Sequence, residues 1–124
     1  MFTGEYRHTV DDKGRLAIPT RLRAQLAQGG HVSGWMDGCA ALHPTDEWER
    51  LTAQVDALPV TDDRARILRR LLYGSAYEVK LDRQGRFVPP PKMLELARID
   101  SEVVLVGAGN RIELWATEGW SEFC

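Results

Sequence analysis

The chain has 124 residues, 44% of them hydrophobic and 27% charged, a size and balance that suit one soluble domain or two very small ones and that can bury a core without staples. Sixteen Lys and Arg against eighteen Asp and Glu give a formal charge of −2, a total that by itself leans away from nucleic acid, whose binders are usually basic. The longest apolar runs, such as Val103–Val106, fall far short of the roughly 20 residues of a membrane span, and no basic-then-apolar leader opens the chain. A cytoplasmic protein is expected, with Cys39 and Cys124 as free thiols in a reducing compartment.

In chain order, Tyr6–Val10 leads into Asp11-Asp12-Lys13-Gly14-Arg15 and then the apolar Leu16–Ile18. Asp bonds nearby backbone N–H groups and Gly accepts positive φ, so this reads as a tight turn between the arms of a hairpin. Pro19 suits the start of a short helix that runs to Ala27, because a first helical turn tolerates a missing N–H. His31–Met36 and Ala40–His43 are read as a strand pair around Asp37-Gly38, a hairpin-turn dipeptide. Thr45 is the expected N-cap of a helix carrying Trp48, Leu51, Val55 and Leu58 at helical spacing, with Pro59 as its stop. Thr61-Asp62-Asp63 opens a second helix whose stripe is Ile67, Leu68, Leu71 and Leu72, ending at Gly74, with Arg64, Arg66, Arg69 and Arg70 on the rest of its surface.

From residue 75 the order begins again. Tyr77–Leu81, the turn Asp82-Arg83-Gln84-Gly85-Arg86, the strand Phe87-Val88 and a helix Pro91–Ala97 follow one another. Strands Val103–Val106 and Arg111–Trp115 then flank Gly107–Asn110, before Thr117 and Trp120 start a last helix. Sliding the chain by 71 lays Tyr6 on Tyr77, Asp11 on Asp82, Gly14 on Gly85, Arg15 on Arg86 and Pro19 on Pro90, five of fourteen positions. After a one-residue slip, Leu42 falls on Leu114, Thr45 on Thr117 and Trp48 on Trp120. Such internal repetition dictates the architecture: an α+β chain with one unit at 1–58, a connecting helix at 59–74 and a second unit at 75–124.

Partitioned along the repeat, the charge is uneven. Residues 1–36 carry +2, 37–63 carry −6, 64–98 carry +6 and 99–124 carry −4. A local basic face can meet phosphate whatever the total, because fields are felt over a screening length of roughly 8 to 10 Å. Ordinary solvated surface with interleaved charge is the plainer account of the same numbers.

The Asp-x-x-Gly-Arg turn is the most informative motif because it recurs at matching places. An arginine at a turn rim can fork onto guanine O6 and N7 or clamp a phosphate; alternatively, each Asp–Arg pair merely staples its turn. No CxxC or HxxxH spacing gathers His31, Cys39, His43 and Cys124 into a metal site, and a Cys39–His43 dyad is equally weak, so packed side chains are expected there. No nucleotide-binding, hydrolase or zinc-protease motif is present. Trp48 and Trp120 are read as core anchors.

Taken together, Met1-Phe2-x-Gly4, the run Asp11–Pro19, Asp82-x-x-Gly85-Arg86, Leu105-Val106-Gly107 and Glu113-Leu114-Trp115 closely resemble the MraZ family over essentially the whole chain. The resemblance implies two tandem AbrB-like units in a swapped-hairpin, β-barrel-like fold, and a ring-shaped homo-oligomer without cofactor or enzymatic activity. It also implies a nucleoid-associated transcriptional regulator that binds double-stranded DNA at short direct repeats upstream of the division and cell-wall gene cluster, its own gene included. By position Asp11 and Arg15 fill the family's first motif and Asp82 and Arg86 its second. On this reading Arg15 enters at the major-groove edge, Lys13 and Arg7 meet phosphate, and Arg86 and Arg83 offer an equivalent or supporting surface, with Gly14 and Gly85 shaping the turns. Pro89-Pro90-Pro91, stiffer than Ile18-Pro19-Thr20, makes the second unit the more structural. The rival reading is an oligomeric scaffold that does not touch DNA.

Overall fold

The repeat is visible in the order of elements. The computed structural model describes Met1–Cys124 and runs β1 (Glu5–Thr9), β2 (Leu16–Ala17), a 3-10 helix (Thr20–Leu26), β3 (Gly30–Gly34), β4 (Ala40–Pro44) and α1 (Thr45–Asp56). After α2 (Asp63–Ser75) the same series returns as β5 (Tyr77–Val79), β6 (Arg86–Phe87), α3 (Pro91–Leu96), β7 (Glu102–Gly107), β8 (Ile112–Ala116) and α4 (Thr117–Phe123). The architecture is mixed α+β, an antiparallel sheet with short helices.

The strands do not pair as two separate units would. One six-stranded sheet has the order β1-β7-β8-β4-β3-β5, and β2 with β6 forms a separate two-stranded ribbon. The first strand of each half therefore lies on the third strand of the other, β1 on β7 and β5 on β3, while β4 and β8 join the halves at the centre of the sheet. This corrects the expected hairpin between Tyr6–Val10 and Leu16–Ile18. Its turn forms, with the Asp11 N–H donating to the Arg15 carbonyl at 2.9 Å and the Gly14 N–H to the Asp11 carbonyl at 2.9 Å. Beyond it the arms part, because the Val10 N–H donates to Ser101 and the Ile18 N–H to Gly85. The next backbone groups are thus already satisfied by the other half, as buried backbone must be.

The register also explains the slip in the repeat. Val32 faces Tyr77 as Leu105 faces Tyr6, and the connection Trp35–Cys39 between β3 and β4 is one residue longer than Ala108–Arg111 between β7 and β8. The slip is the net of a longer lead into β7 and a shorter hairpin after it. In the longer hairpin Asp37 and Gly38 take φ of 67° and 83°, the two consecutive positive values that a primed turn demands.

The core is shared by both halves. Leu16, Leu22, Val32 and Leu42 from the first pack in one buried cluster with Phe87, Met93, Leu105 and Leu114 from the second. The hydrophobic effect therefore stabilises the two halves jointly. A smaller cluster of Trp48, Val55 and Leu72 seats α1 and α2 against the sheet, flanked by Trp35, Leu51 and Leu68. The apolar stripe of α2 divides: Leu68 and Leu72 face inward, whereas Ile67 and Leu71 are 54% and 66% exposed.

Two further expectations are corrected. Thr45 does not cap its helix; its hydroxyl donates to the Gln28 carbonyl at 3.0 Å, tying the start of α1 to the loop before β3. Trp48 is buried, but Trp120 is only half-buried and packs with Trp115 and Phe123 at ring separations of 5.3 and 5.8 Å. Asp62 does cap α2, accepting from the Arg64 N–H at 2.9 Å. No helix is long and apolar enough to cross a membrane.

Candidate nucleic-acid interface

Both Asp-x-x-x-Arg turns are built the same way. Asp11 Oδ1 accepts from the backbone N–H groups of Lys13 at 2.9 Å and Arg15 at 2.8 Å, and its Oδ2 accepts from Arg15 Nε at 2.8 Å. Asp82 repeats this with Gln84 at 2.9 Å, Arg86 at 2.9 Å and Arg86 Nε at 3.0 Å. The glycine that closes each turn, Gly14 or Gly85, sits at φ of 76° or 75°, left-handed values that other residues adopt at a cost. The Arg15 backbone N–H is the main reason that Asp11 stays below the ordinary carboxylate pKa, helped by the Arg15 guanidinium and the Lys13 N–H against the opposing effect of burial. Asp82 is lowered for the same reasons by Arg86 and Gln84.

The staple expected of the Asp–Arg pairs is therefore present in both turns. It engages only Nε of each guanidinium, and an arginine carries five N–H donors. The Nη pair, the forked end, is left for another partner, and the carboxylate fixes the plane in which it points.

Strand exchange brings the two turns to one surface. In the β2–β6 ribbon Leu16 lies opposite Phe87 and Ala17 opposite Arg86, and the Ile18 N–H donates to the Gly85 carbonyl at 2.8 Å. Alternation along the strands puts Leu16, Ile18 and Phe87 on the buried face and Arg15, Ala17, Arg86 and Val88 on the outward one, where Val88 is 59% exposed. Arg15 and Arg86, 71 positions apart in the chain, thus stand at opposite ends of one antiparallel ribbon. His8 ties the edge strand β1 to it, its Nδ1 lying 2.7 Å from the Ala17 carbonyl oxygen.

The other expected contacts are distributed around this ribbon. Lys13 is exposed in the first turn and Arg83 in the second. Arg7 lies instead on the outer face of β1, at the edge of the large sheet, with its guanidinium 3.6 Å from Glu5. One residue at this surface was not legible from spacing. Arg23, on the 3-10 helix, donates from Nε to the Ile18 carbonyl at 2.7 Å, and its guanidinium lies so close over Gly85 that a Cβ there would overlap it. Gly85 thus has two reasons to be glycine where Gly14, with only Val88 nearby at 3.8 Å, has one. The only sequence trace of this contact is a basic residue in a helix that follows a turn, a pattern too common to single out.

Cys39 and His43 are sealed rather than poised, whereas Cys124 is an exposed thiol at the end of the chain and not the packed side chain expected. Cys39 is buried, its Sγ donates to the Met36 carbonyl at 3.3 Å, and burial pushes its thiol up to about 12, the reverse of an activated nucleophile. His43 is buried beside Trp35 and Trp48, at ring separations of 5.0 and 6.1 Å, with Nδ1 unpartnered. Burial and the Arg111 charge push it down to about 4. No group of three or more His, Cys, Asp or Glu side chains is placed to hold a metal ion.

Comparison with known proteins matches this chain to the family model of the MraZ protein twice, over residues 1–71 and 72–124, so the model meets each half of the repeat. Three relatives, each called transcriptional regulator MraZ, are similar over nearly the whole chain. The protein of Herpetosiphon aurantiacus is 46% identical over 97% of this chain and 84% of its own, that of Heliobacterium modesticaldum 42% identical over 99% and 86%, and that of Moorella thermoacetica 42% identical over 100% and 87%. With both halves matched and relatives this similar along its length, the chain belongs to the MraZ family.

Proposed function

We propose that this protein is a transcriptional regulator that binds DNA sequence-specifically through the β2–β6 ribbon. The observation that carries the reading is the arrival of both motif arginines on the outward face of a single two-stranded ribbon, each with its Nε held by an aspartate and its Nη pair uncommitted. A two-stranded ribbon fits the major groove, and a forked guanidinium matches guanine O6 and N7. Arg15 and Arg86 are the base-reading residues; Lys13, Arg83 and the more peripheral Arg7 meet phosphates. The aspartates and glycines of the turns hold the arginines in place, so little ordering remains to be done on binding.

The exchange of first strands between halves supports assigning the fold to the AbrB-like, swapped-hairpin class, with tandem units at 1–58 and 75–124. One ribbon supplies few contacts, and its phosphate part weakens with salt. A homo-oligomeric ring that offers several ribbons to successive short direct repeats raises the effective concentration and thus the affinity. The target is the region upstream of the division and cell-wall gene cluster, including this protein's own gene, and the working place is the nucleoid of the cytoplasm. The exposed Met36, Ile67, Leu71 and Leu96 favour subunit contacts, and they are also what the scaffold alternative rests on.

The test is a mobility-shift titration with DNA from upstream of its own gene across a salt series. The proposal requires retention of that fragment in preference to a scrambled duplex, with log affinity falling linearly in log salt. An assembly that persists without shifting either duplex would leave the scaffold standing and remove the DNA reading.

A further inference from the structure

The two ends of the ribbon are not equivalent. Beside the second turn lies a cleft of about 520 Å³ whose lining includes Arg23, Gln28, Lys80, Asp82, Arg83 and Gly85. It holds three cations and one carboxylate, and that carboxylate is already engaged by Arg86. Arg23 is fixed in advance by its bond to the Ile18 carbonyl and by its seat over Gly85, while Lys80 and Arg83 are exposed. The repeat places Leu94, Thr9 and Asp12 where these three cations stand, and Leu94 packs against the core. Near that other end, Asp100, Glu102 and Glu118 line a separate depression together with Arg98.

We infer that the Arg23–Lys80–Arg83 cleft is a phosphodiester site that clamps one strand of the DNA backbone at the second-turn end of the ribbon. The inference rests on the DNA-binding reading above and gives it a direction. The base-reading face, with an arginine at each end, is nearly two-fold symmetric and by itself reads a groove equally well in either orientation. A cation cleft at one end only breaks that symmetry, so each subunit lies one way round on the duplex. The second unit, expected from its proline run to be mainly structural, then supplies two of the three cations of the stronger backbone grip, and the first unit supplies Arg23.

Counterion release provides the test. A contact to phosphate contributes about 0.9 to the slope of log affinity against log salt and carries no base information. Fluorescence anisotropy is measured from about 50 to 200 mM salt, with a duplex from upstream of the protein's own gene and a scrambled duplex of equal length. Lys80→Gln and Arg83→Gln should each lower the slope by about 0.9 per bound subunit on both duplexes, leaving the preference between them unchanged. Lys80→Arg should restore the slope, which separates lost charge from disturbed folding. If the parent protein binds with a salt-dependent slope that both glutamine variants keep, the cleft is not a phosphate site and Arg83 drops out of the phosphate contacts, although DNA binding through the ribbon arginines survives. If the parent binds neither duplex, the DNA reading falls and the cleft with it.

Discussion

Acidification should destabilise this protein through His43 well before its carboxylates protonate. His43 lies on β4, which joins the two halves in the central sheet, and is 1% exposed. Its Nδ1 has no partner, and the nearby Arg111 guanidinium opposes a second positive charge, so burial and repulsion lower its pKa from 6.5 to about 4. The unfolded chain takes up the proton near 6.5, the folded chain only near 4. Between those values the unfolded state binds more protons, so stability rises with pH there. It is fully present above about pH 6.5 and lost as pH falls through 4. At about 1.4 kcal/mol per unit the difference comes to roughly 3 kcal/mol, a large share of the 5–15 kcal/mol typical of a domain. Urea denaturation at half-unit steps from pH 7.5 to 4 measures it directly. His43→Leu should flatten the curve above pH 4.5, leaving only the later loss from Asp11 and Asp82, whose lowered pKa values act below the carboxylate range. A variant curve parallel to that of the parent protein would show that His43 does not carry the pH dependence and would refute the reasoning.

The two turn glycines should respond unequally to alanine. Gly14→Ala meets only its left-handed backbone conformation and should cost about 1 to 2 kcal/mol, whereas Gly85→Ala must also displace Arg23 and should cost measurably more in the same urea assay; equal losses would contradict the packing described. The divided stripe of α2 predicts a second contrast. Leu71→Glu, at a 66% exposed site, should reduce oligomer size in solution scattering while the subunit stays folded. Leu72→Ala, at a 3% exposed site, should instead cost about 2 to 5 kcal/mol of folding stability. Unfolding by Leu71→Glu would assign Ile67 and Leu71 to the core.

Local chemistry was readable because it is local. Asp and Gly specify the turns at Asp11–Arg15 and Asp82–Arg86, Pro90 precedes and Pro91 opens a helix, and Asp37-Gly38 makes a primed turn, each through dihedrals and bonds within a few residues. Strand partnership is a different kind of information. Tyr6–Thr9 alternates as an edge strand would, yet nothing in that alternation says whether its partner is Leu16 or the distant Leu105. A tight turn before an apolar strand therefore reads as a hairpin, and only packing of the whole chain reveals the exchange. β2 and β6 have two residues each, too few to carry a periodic signal. Arg15 and Arg86 were identifiable as a pair by repetition, but their meeting on one ribbon follows from the exchange. Arg23 was hidden for the same reason: what marks it is its seat over Gly85, a contact between the halves. Thr45 is a preferred N-cap residue whose hydroxyl is claimed by Gln28, a tertiary partner overriding a local preference.

The central claim is that the ribbon arginines read bases, and the most direct measurement is the preference for the upstream duplex over a scrambled one in Arg15→Lys and Arg86→Lys variants, with assembly followed by light scattering. Lysine keeps the charge but not the fork. Each variant should therefore retain most of the salt slope and the parent oligomer while losing roughly 10- to 100-fold of preference, the worth of a bidentate pair to guanine. Loss of one half-buried staple, worth about 1 kcal/mol, is too small to unfold the chain. Undiminished preference in both variants, or disassembly in place of lost preference, would contradict the account.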